Sequence, residues 1–493
     1  MVNRGPSRGC YSCRVRRRNC DQGRPSCMRC IRARRTCGGY GDVFRPFSTF
    51  QLYGPRNPKE VALLSIARRC TIPRHTANVS SQDVFPPETS QEEGEELALR
   101  AFVYDYCTVS ANKDLSRGYL SNLGAMSYQV GTRPAFIRAC QAISLGSHGK
   151  VLRRSLFIEE AESIYHELLG SFARTIGEKT SKIEENQILM AMLLGLYQMA
   201  MASGTNRGDH VAHAKGLAAM MKLRGRSSDP CEATVLGDTQ GPYSGYLQVS
   251  AVFSTSSCNS RDVNFVDLLS RLDMMMVKSK RKSEKKPISQ LRQQCIELEA
   301  SFHRWQDSRV AEFQPTTVGT VENRKLDQDI PVGFWPGNVD TYLDLYAAGV
   351  WNLCRGARLR LITMVIEYSA ELEDWDSYNE FADKADHVAE QIAASVPYHL
   401  TDNLYGFLHQ DVEKAEIEHS GKSLGGLLLM HPLYIAAQMQ FISPKMRQYM
   451  QRCLVWIGQD MGIGQALVLA TTSDIDLEYL TSSCMVIWAG FLS

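Results

Sequence analysis

The sequence predicts a small metal-stapled module followed by a large all-α helical domain, and three observations carry that expectation. Six of the 15 cysteines fall within the first 37 of 493 residues. Charge is divided along the chain: residues 1–45 hold 12 Lys/Arg against 2 Asp/Glu, whereas the remainder holds 43 against 51. Beyond about residue 96, apolar residues recur at helical spacing, as in Ile188, Ala191, Met192, Gly195, Leu196 and Met199. The length exceeds one ordinary core, so two or more units are expected. A basic head on a mildly acidic body places the polyanion partner at the head.

The six cysteines stand as Cys10-x2-Cys13-x6-Cys20-x6-Cys27-x2-Cys30-x6-Cys37, which is one C-x2-C-x6-C unit used twice with an offset of 17 residues. The opening MVNRGPSRGC has no apolar leader, so a reducing compartment is expected, where dense cysteine favours metal over disulfides. Structural zinc takes four tetrahedral ligands and favours thiolate. Two Zn²⁺ need eight ligand positions, and six thiolates fill them when two bridge. The repeat makes Cys10 and Cys27 equivalent, hence the natural bridges. Two other readings stay open: a mononuclear four-cysteine finger that strands Cys20 and Cys37, and a disulfide framework. The nine cysteines beyond residue 37 read as free, mostly buried thiols.

Between the ligands lie Arg14, Arg16, Arg17, Arg18, Arg34 and Arg35. A guanidinium fork can bond guanine O6 and N7 together, worth about 1–3 kcal/mol of discrimination. Contacts to phosphate add affinity without sequence information. Residues 13–19 and 30–36 each fit a short helix between ligands.

The stretch from Cys10 to Tyr40, with Arg14 after the second cysteine, Asp21 after the third, Pro25 in the loop and Gly39-Tyr40 after the sixth, resembles the fungal Zn2Cys6 binuclear cluster family of transcription factors. The resemblance implies two Zn²⁺ per chain, bridging by Cys10 and Cys27, and a first helix in the major groove of double-stranded DNA. It places Arg17 where a lysine contacts a CGG triplet, with Arg16 as its basic neighbour, and leaves Arg14, Arg18, Arg34 and Arg35 to phosphate. Arg17 and Asn19 both depart from the usual lysines, so guanine preference is expected and the triplet stays open. Nuclear location, activation and control of a metabolic or secondary-metabolite gene cluster are further implications of the resemblance.

Residues 1–45 thus read as the Zn2Cys6 DNA-binding domain, 46–95 as a flexible linker and 96–493 as an all-α regulatory domain with a disordered insertion at 226–290. The linker carries Pro46, Gly54, Pro55, Pro58 and Pro86-Pro87, and ends in an acidic run. Its one amphipathic stretch, Glu60 to Arg69, is too short for a zipper, so a homodimer would have to form through the helical domain. Helical spacing runs through 136–176, 342–361, 377–396 and 446–470. Residues 226–262, rich in Ser, Gly, Asp and Thr, read as disorder, an inserted segment or a gene-model error. The basic run Lys278 to Lys286 reads either as a nuclear import signal or as a solvated loop. The methionines around 190–201, 220–221 and 274–276 read as core or as a pocket lining. Asp474 to Glu478 reads as surface or as a small acidic activation patch.

His213-x2-Gly216-Leu217, Ser395 to Leu400, Pro432-Leu433-Tyr434 and Trp456-Ile457 with Gly462-Ile463 resemble the fungal-specific transcription factor domain. That resemblance implies a helical regulatory body that senses a small-molecule effector or binds a co-regulator. Enzyme readings fail on spacing. Gly421-Lys422-Ser423 lacks the leading glycine of a phosphate loop, because residue 416 is Glu. Gly241 to Gly245 lacks the spacing of a nucleophile elbow. His210 and His213 have no third ligand nearby in sequence. No membrane span is expected, since the most apolar stretch, 188–202, is short. The expectation is a zinc-dependent, sequence-specific transcription regulator and not an enzyme. The alternative is a zinc-binding ligand sensor or scaffold that acts through protein contacts.

Overall fold

The computed structural model describes residues 20, 28–33, 91–123, 135–178, 183–225, 241–253, 265–280, 287–322, 330–410, 416–472 and 475–492. The chain divides into two compact units, Met1–Pro55 and Arg56–Ser493. In the first, the described helix is the short α1 (Met28–Arg32).

The second unit is helical and opens with α2 (Gln91–Tyr106), α3 (Ala135–Leu152), α4 (Ser155–Glu178), α5 (Glu185–Met201) and α6 (His210–Gly225). The helical spacing over 136–176 is two helices, with Arg153 at φ 54 marking the break. α3 packs against α2, α4 and α5, and α6 lies along α5. Helix α5 is buried on nearly every side, as its almost continuous apolar sequence requires. Next come α7 (Ser244–Phe253), α8 (Phe265–Lys280) and α9 (Ile288–Asp307). A hairpin of β1 (Thr316–Val321) and β2 (Gly337–Thr341) pairs antiparallel, with a register shift between Thr317 and Gly319.

The two longest helices follow, α10 (Leu345–Glu371) and α11 (Trp375–Leu400). Each starts on an aspartate that accepts an orphan backbone N–H: Asp344 from Ala347 and Asp374 from Ser377. Then come α12 (Leu404–Leu408), α13 (Ser423–Gln438), α14 (Pro444–Asp460), α15 (Gly464–Thr471) and α16 (Leu477–Ala489). Ser443 caps α14 and is followed by Pro444 at its first position, where a missing N–H costs nothing. α10 packs against α9, α11 and α13, and this is the centre of the core. α16 touches α5, α6, α7 and α13, and so ties the first group of helices to the second. Among the described residues no helix is long and apolar enough to cross a membrane.

Three features depart from the sequence reading. Helix α2 begins at Gln91, inside the stretch 46–95 expected to be a linker. α7 and α8 are ordered helices within 226–290, where composition predicted a disordered insertion. Polar composition hid the anchors there: Tyr246 is buried with its edge against Trp488 at 4.8 Å, and Phe265 stacks on Trp305 at 4.6 Å. Gly245 works as a packing residue, because a Cβ there would strike the Thr481 carbonyl of α16. Residues 226–240, 254–264 and 281–286 lie outside the described residues, so most of the basic run 278–286 does too. Finally, the hairpin had no strand signature; Thr-Thr-Val-Gly-Thr-Val pairs with only five residues, of which Val339 and Asp340 are buried, one on each face.

Candidate nucleic-acid interface

Of the six proposed ligands, Cys20 and Cys30 are described; Cys10, Cys13, Cys27 and Cys37, with Arg14, Arg16, Arg17, Arg18, Arg34 and Arg35, lie outside the described residues. Cys30 sits on α1, which starts two residues before the helix expected from residue 30. Its side chain is 5% exposed, whereas Met28 on the same helix is 49% exposed and Arg32 is exposed as well. A thiol turned inward while methionine faces outward fits a centre built from sulfur ligands around a metal.

In the helical unit the sequence-flagged residues are absorbed by structure. His210 and His213 do not share a ligand. His210 is fully buried with Nε2 at 3.0 Å from the Tyr479 carbonyl, and His213 Nε2 meets the Tyr165 hydroxyl at 2.9 Å. Burial lowers the pKa of both, outweighing the nearby Asp209. Among the described residues no group of three or more His, Cys, Asp or Glu comes together. Lys422 of the phosphate-loop look-alike donates to the Tyr104 carbonyl at 2.8 Å and lies over the Tyr104 ring, so it caps the end of α2. Met190, Met192, Met199, Met220 and Met221 are core. Asp476, from the acidic stretch near the C-terminus, caps α16 through the Tyr479 N–H at 2.6 Å.

Two features escaped the sequence reading. The first is a buried polar chain at the heart of the unit. Thr317 of β1 donates to Asp340 of β2 at 2.8 Å, and Asp340 faces Arg355 of α10 at 4.0 Å. Arg355 donates to the Tyr342 hydroxyl at 2.7 Å and to Asn352 Oδ1 at 2.9 Å. Asn352 donates to Ser395 at 2.9 Å and to His399 Nε2 at 3.1 Å, and His399 Nδ1 reaches the Gly425 carbonyl at 3.1 Å. Burial, with Arg355 nearby, holds the His399 pKa down to about 3 against that last bond. One turn on, Arg358 is bound by Glu299 at 2.7 Å and Gln306 at 2.7 Å, which staples α9 to α10. The chain thus fixes the hairpin, α10, α11 and α13 in one arrangement. The signal was present as cations at 355, 358 and 360 inside an apolar helix, without any indication of partners.

The second feature is a cavity of about 40 Å³ where the start of α7, α10, α13 and α16 meet. Tyr243, Arg360, His431 and Trp488 line it together with Leu353, Leu427 and Ile435.

Residues 8–45 match the fungal Zn(2)-Cys(6) binuclear cluster domain, so the head is a zinc-binding, DNA-binding domain with two zinc ions to its cluster. Transcription factor dbaG of Emericella nidulans is 37% identical over 412 residues, covering 81% of this chain and 96% of that protein. The uncharacterized transcriptional regulatory protein C15D4.02 of Schizosaccharomyces pombe is 48% identical over 42 residues, 8% of each chain. No solved structure matches the chain. A match confined to the cysteine array would place only the head, but one of 412 residues has to run through most of the helical unit as well. On that extent of likeness, the chain belongs to the fungal Zn(2)-Cys(6) binuclear cluster transcription factors.

Proposed function

We propose that this protein acts in the nucleus as a transcription activator that reads GC-rich, CGG-like sites through its zinc cluster, with the helical unit controlling output. The doubled C-x2-C-x6-C unit with arginines between its ligands carries this reading. Cys10, Cys13, Cys20, Cys27, Cys30 and Cys37 hold the two Zn²⁺, with Cys10 and Cys27 bridging. Six thiolates around two zincs leave a charge of −2, which the neighbouring arginines stabilise. The metal supplies the folding free energy that so small a module lacks, and it fixes the aim of the arginine side chains. Arg17, next to Arg16, bonds guanine, while Arg14, Arg18, Arg34 and Arg35 hold phosphate. With no zipper after the cluster, pairing of two copies falls to the helical unit. Control of a metabolic or secondary-metabolite gene cluster is the regulatory role that fits this build.

The test is zinc content and DNA retention of the full chain. Two zincs per chain are expected, with binding to a CGG duplex that falls steeply with salt. Arg17→Ala is expected to weaken CGG binding roughly tenfold more than binding to a scrambled duplex. One zinc or fewer, or equal losses on both duplexes, would overturn the proposal. Two zincs with no retention of either duplex would favour a scaffold that acts through protein contacts.

A further inference from the structure

The cavity at the meeting of α7, α10, α13 and α16 has the makings of a ligand site. Its walls are Leu353 on α10, Leu427 and Ile435 on α13, and Ile487 and Trp488 on α16. Those side chains bring no hydrogen-bonding groups except the indole N–H. Against them stand polar groups that the fold leaves unsatisfied. The Tyr243 hydroxyl is buried in a residue only 3% exposed, and apart from the Arg360 guanidinium beside it, it has no hydrogen-bond partner. Arg360 Nε is likewise buried without a partner, and among the described residues no carboxylate forms an ion pair with Arg360. Neighbouring Arg355 and Arg358 show what this helix does when partners are supplied: both are bound by buried side chains. Arg360 is the member of the three without an ion pair, its charge acting on Tyr243 and Asp273 at the cavity wall.

The other groups around the cavity narrow the ligand. His431 hydrogen-bonds Ser483 at 2.8 Å, and burial lowers its pKa to about 3, so it is neutral and adds no cation. Asp273 lies behind Tyr243, accepting its backbone N–H at 2.8 Å. That carboxylate is a single negative charge near the site, which suits a monoanion and disfavours a dianion. A volume of about 40 Å³ holds a carboxylate group or two to three waters, and no ring fits wholly inside. Waters would satisfy the hydroxyl, whereas a carboxylate would answer both the hydroxyl and the guanidinium, which Asp273 attracts without pairing with it.

We propose that this cavity binds the carboxylate of a small monocarboxylic acid. Arg360 holds it with its planar fork, Tyr243 donates a hydroxyl, and the apolar body lies along Leu353, Ile435 and Trp488. The site would be the effector site of the regulator proposed above; it rests on that reading for its purpose and not for the binding itself. α16 ties the first group of helices to the second, and α10 is central to the second, so a ligand between them is placed to bias how those groups pack.

The experiment titrates the full-length zinc-loaded protein with acetate and butyrate, and with ethanol and butanol, in the absence of DNA. Tryptophan fluorescence and the melting temperature are the readouts. Both acids are expected to raise the melting temperature and perturb fluorescence, while the alcohols leave both unchanged. Arg360→Met should weaken the acids roughly ten- to hundredfold, the range for a lost charge-assisted pair. Tyr243→Phe, which keeps the ring and the packing, should weaken them a few-fold and serves if Arg360→Met does not fold. Acids and alcohols acting alike, no response to either acid up to about 10 mM, or wild-type binding by Tyr243→Phe would each overturn the proposal. Because no DNA is present, these outcomes are independent of how Arg17 or the zinc cluster performs.

Discussion

Acid should loosen the helical unit through histidines that the fold keeps neutral. His399 is the clearest case: Nδ1–H donates to the Gly425 carbonyl, and Nε2 accepts from Asn352. Both ring nitrogens are committed, so a proton on Nε2 would face the Asn352 amide donor in a site without water access. The folded pKa, about 3, lies far below the usual 6.5. As pH falls the unfolded chain therefore takes the proton first, and stability present above 6.5 is lost on the way down to 3. At pH 5.0, a group with an unfolded pKa near 6.5 that stays neutral when folded costs about 2 kcal/mol. His431, lowered to about 3 by burial, adds the same amount, so the pair removes about 4 kcal/mol from a stability typically 5–15. The assay is urea unfolding followed by circular dichroism at pH 7.5 and pH 5.0, for wild type and His399→Gln. Glutamine retains an acceptor toward Asn352 and does not titrate. The variant is expected to be less stable at pH 7.5, yet to lose about 2 kcal/mol less on acidification. Carboxylates that titrate near pH 5 act equally in both proteins and cancel. An equal loss in the two proteins would refute the reasoning.

Two further outcomes follow from the packing. Arg355→Met should cost about 3–5 kcal/mol, because it leaves Asp340, Tyr342 and Asn352 buried without their cation, and the melting temperature reads it. Gly462→Ala should cost about 1–3 kcal/mol: Gly462 sits at φ 73, and a Cβ there would strike the Ser147 carbonyl of α3. Circular dichroism at 222 nm against temperature would show whether the turn between α14 and α15 tolerates the change.

The cysteine array of the cluster domain is local, and so the domain was legible. A thiolate array declares its ligand count by spacing alone, since zinc demands four donors whatever the rest of the chain does. Most helices were legible for a similar reason, because a 3.6-residue period is printed along one segment. α7 was not, because its burial depends on Trp488, more than 200 residues on, and on a glycine that lets Thr481 come close. The hairpin was hidden too, because its two short strands carry Thr, Gly, Asn and Asp with no alternating apolar pattern.

Sequence by itself determined the metal-stapled head, the helical class of the body and the failure of the enzyme motifs, all of which follow from short-range spacing. Tertiary structure decided that His210 and His213 part company, that Lys422 caps a helix, and that Arg355 and Arg358 are bound while Arg360 faces a cavity. Those three cations stand on one helix within six residues, and no propensity separates them. What separates them is whether another element, folded in from far along the chain, brings a carbonyl, an amide or a carboxylate within hydrogen-bond reach.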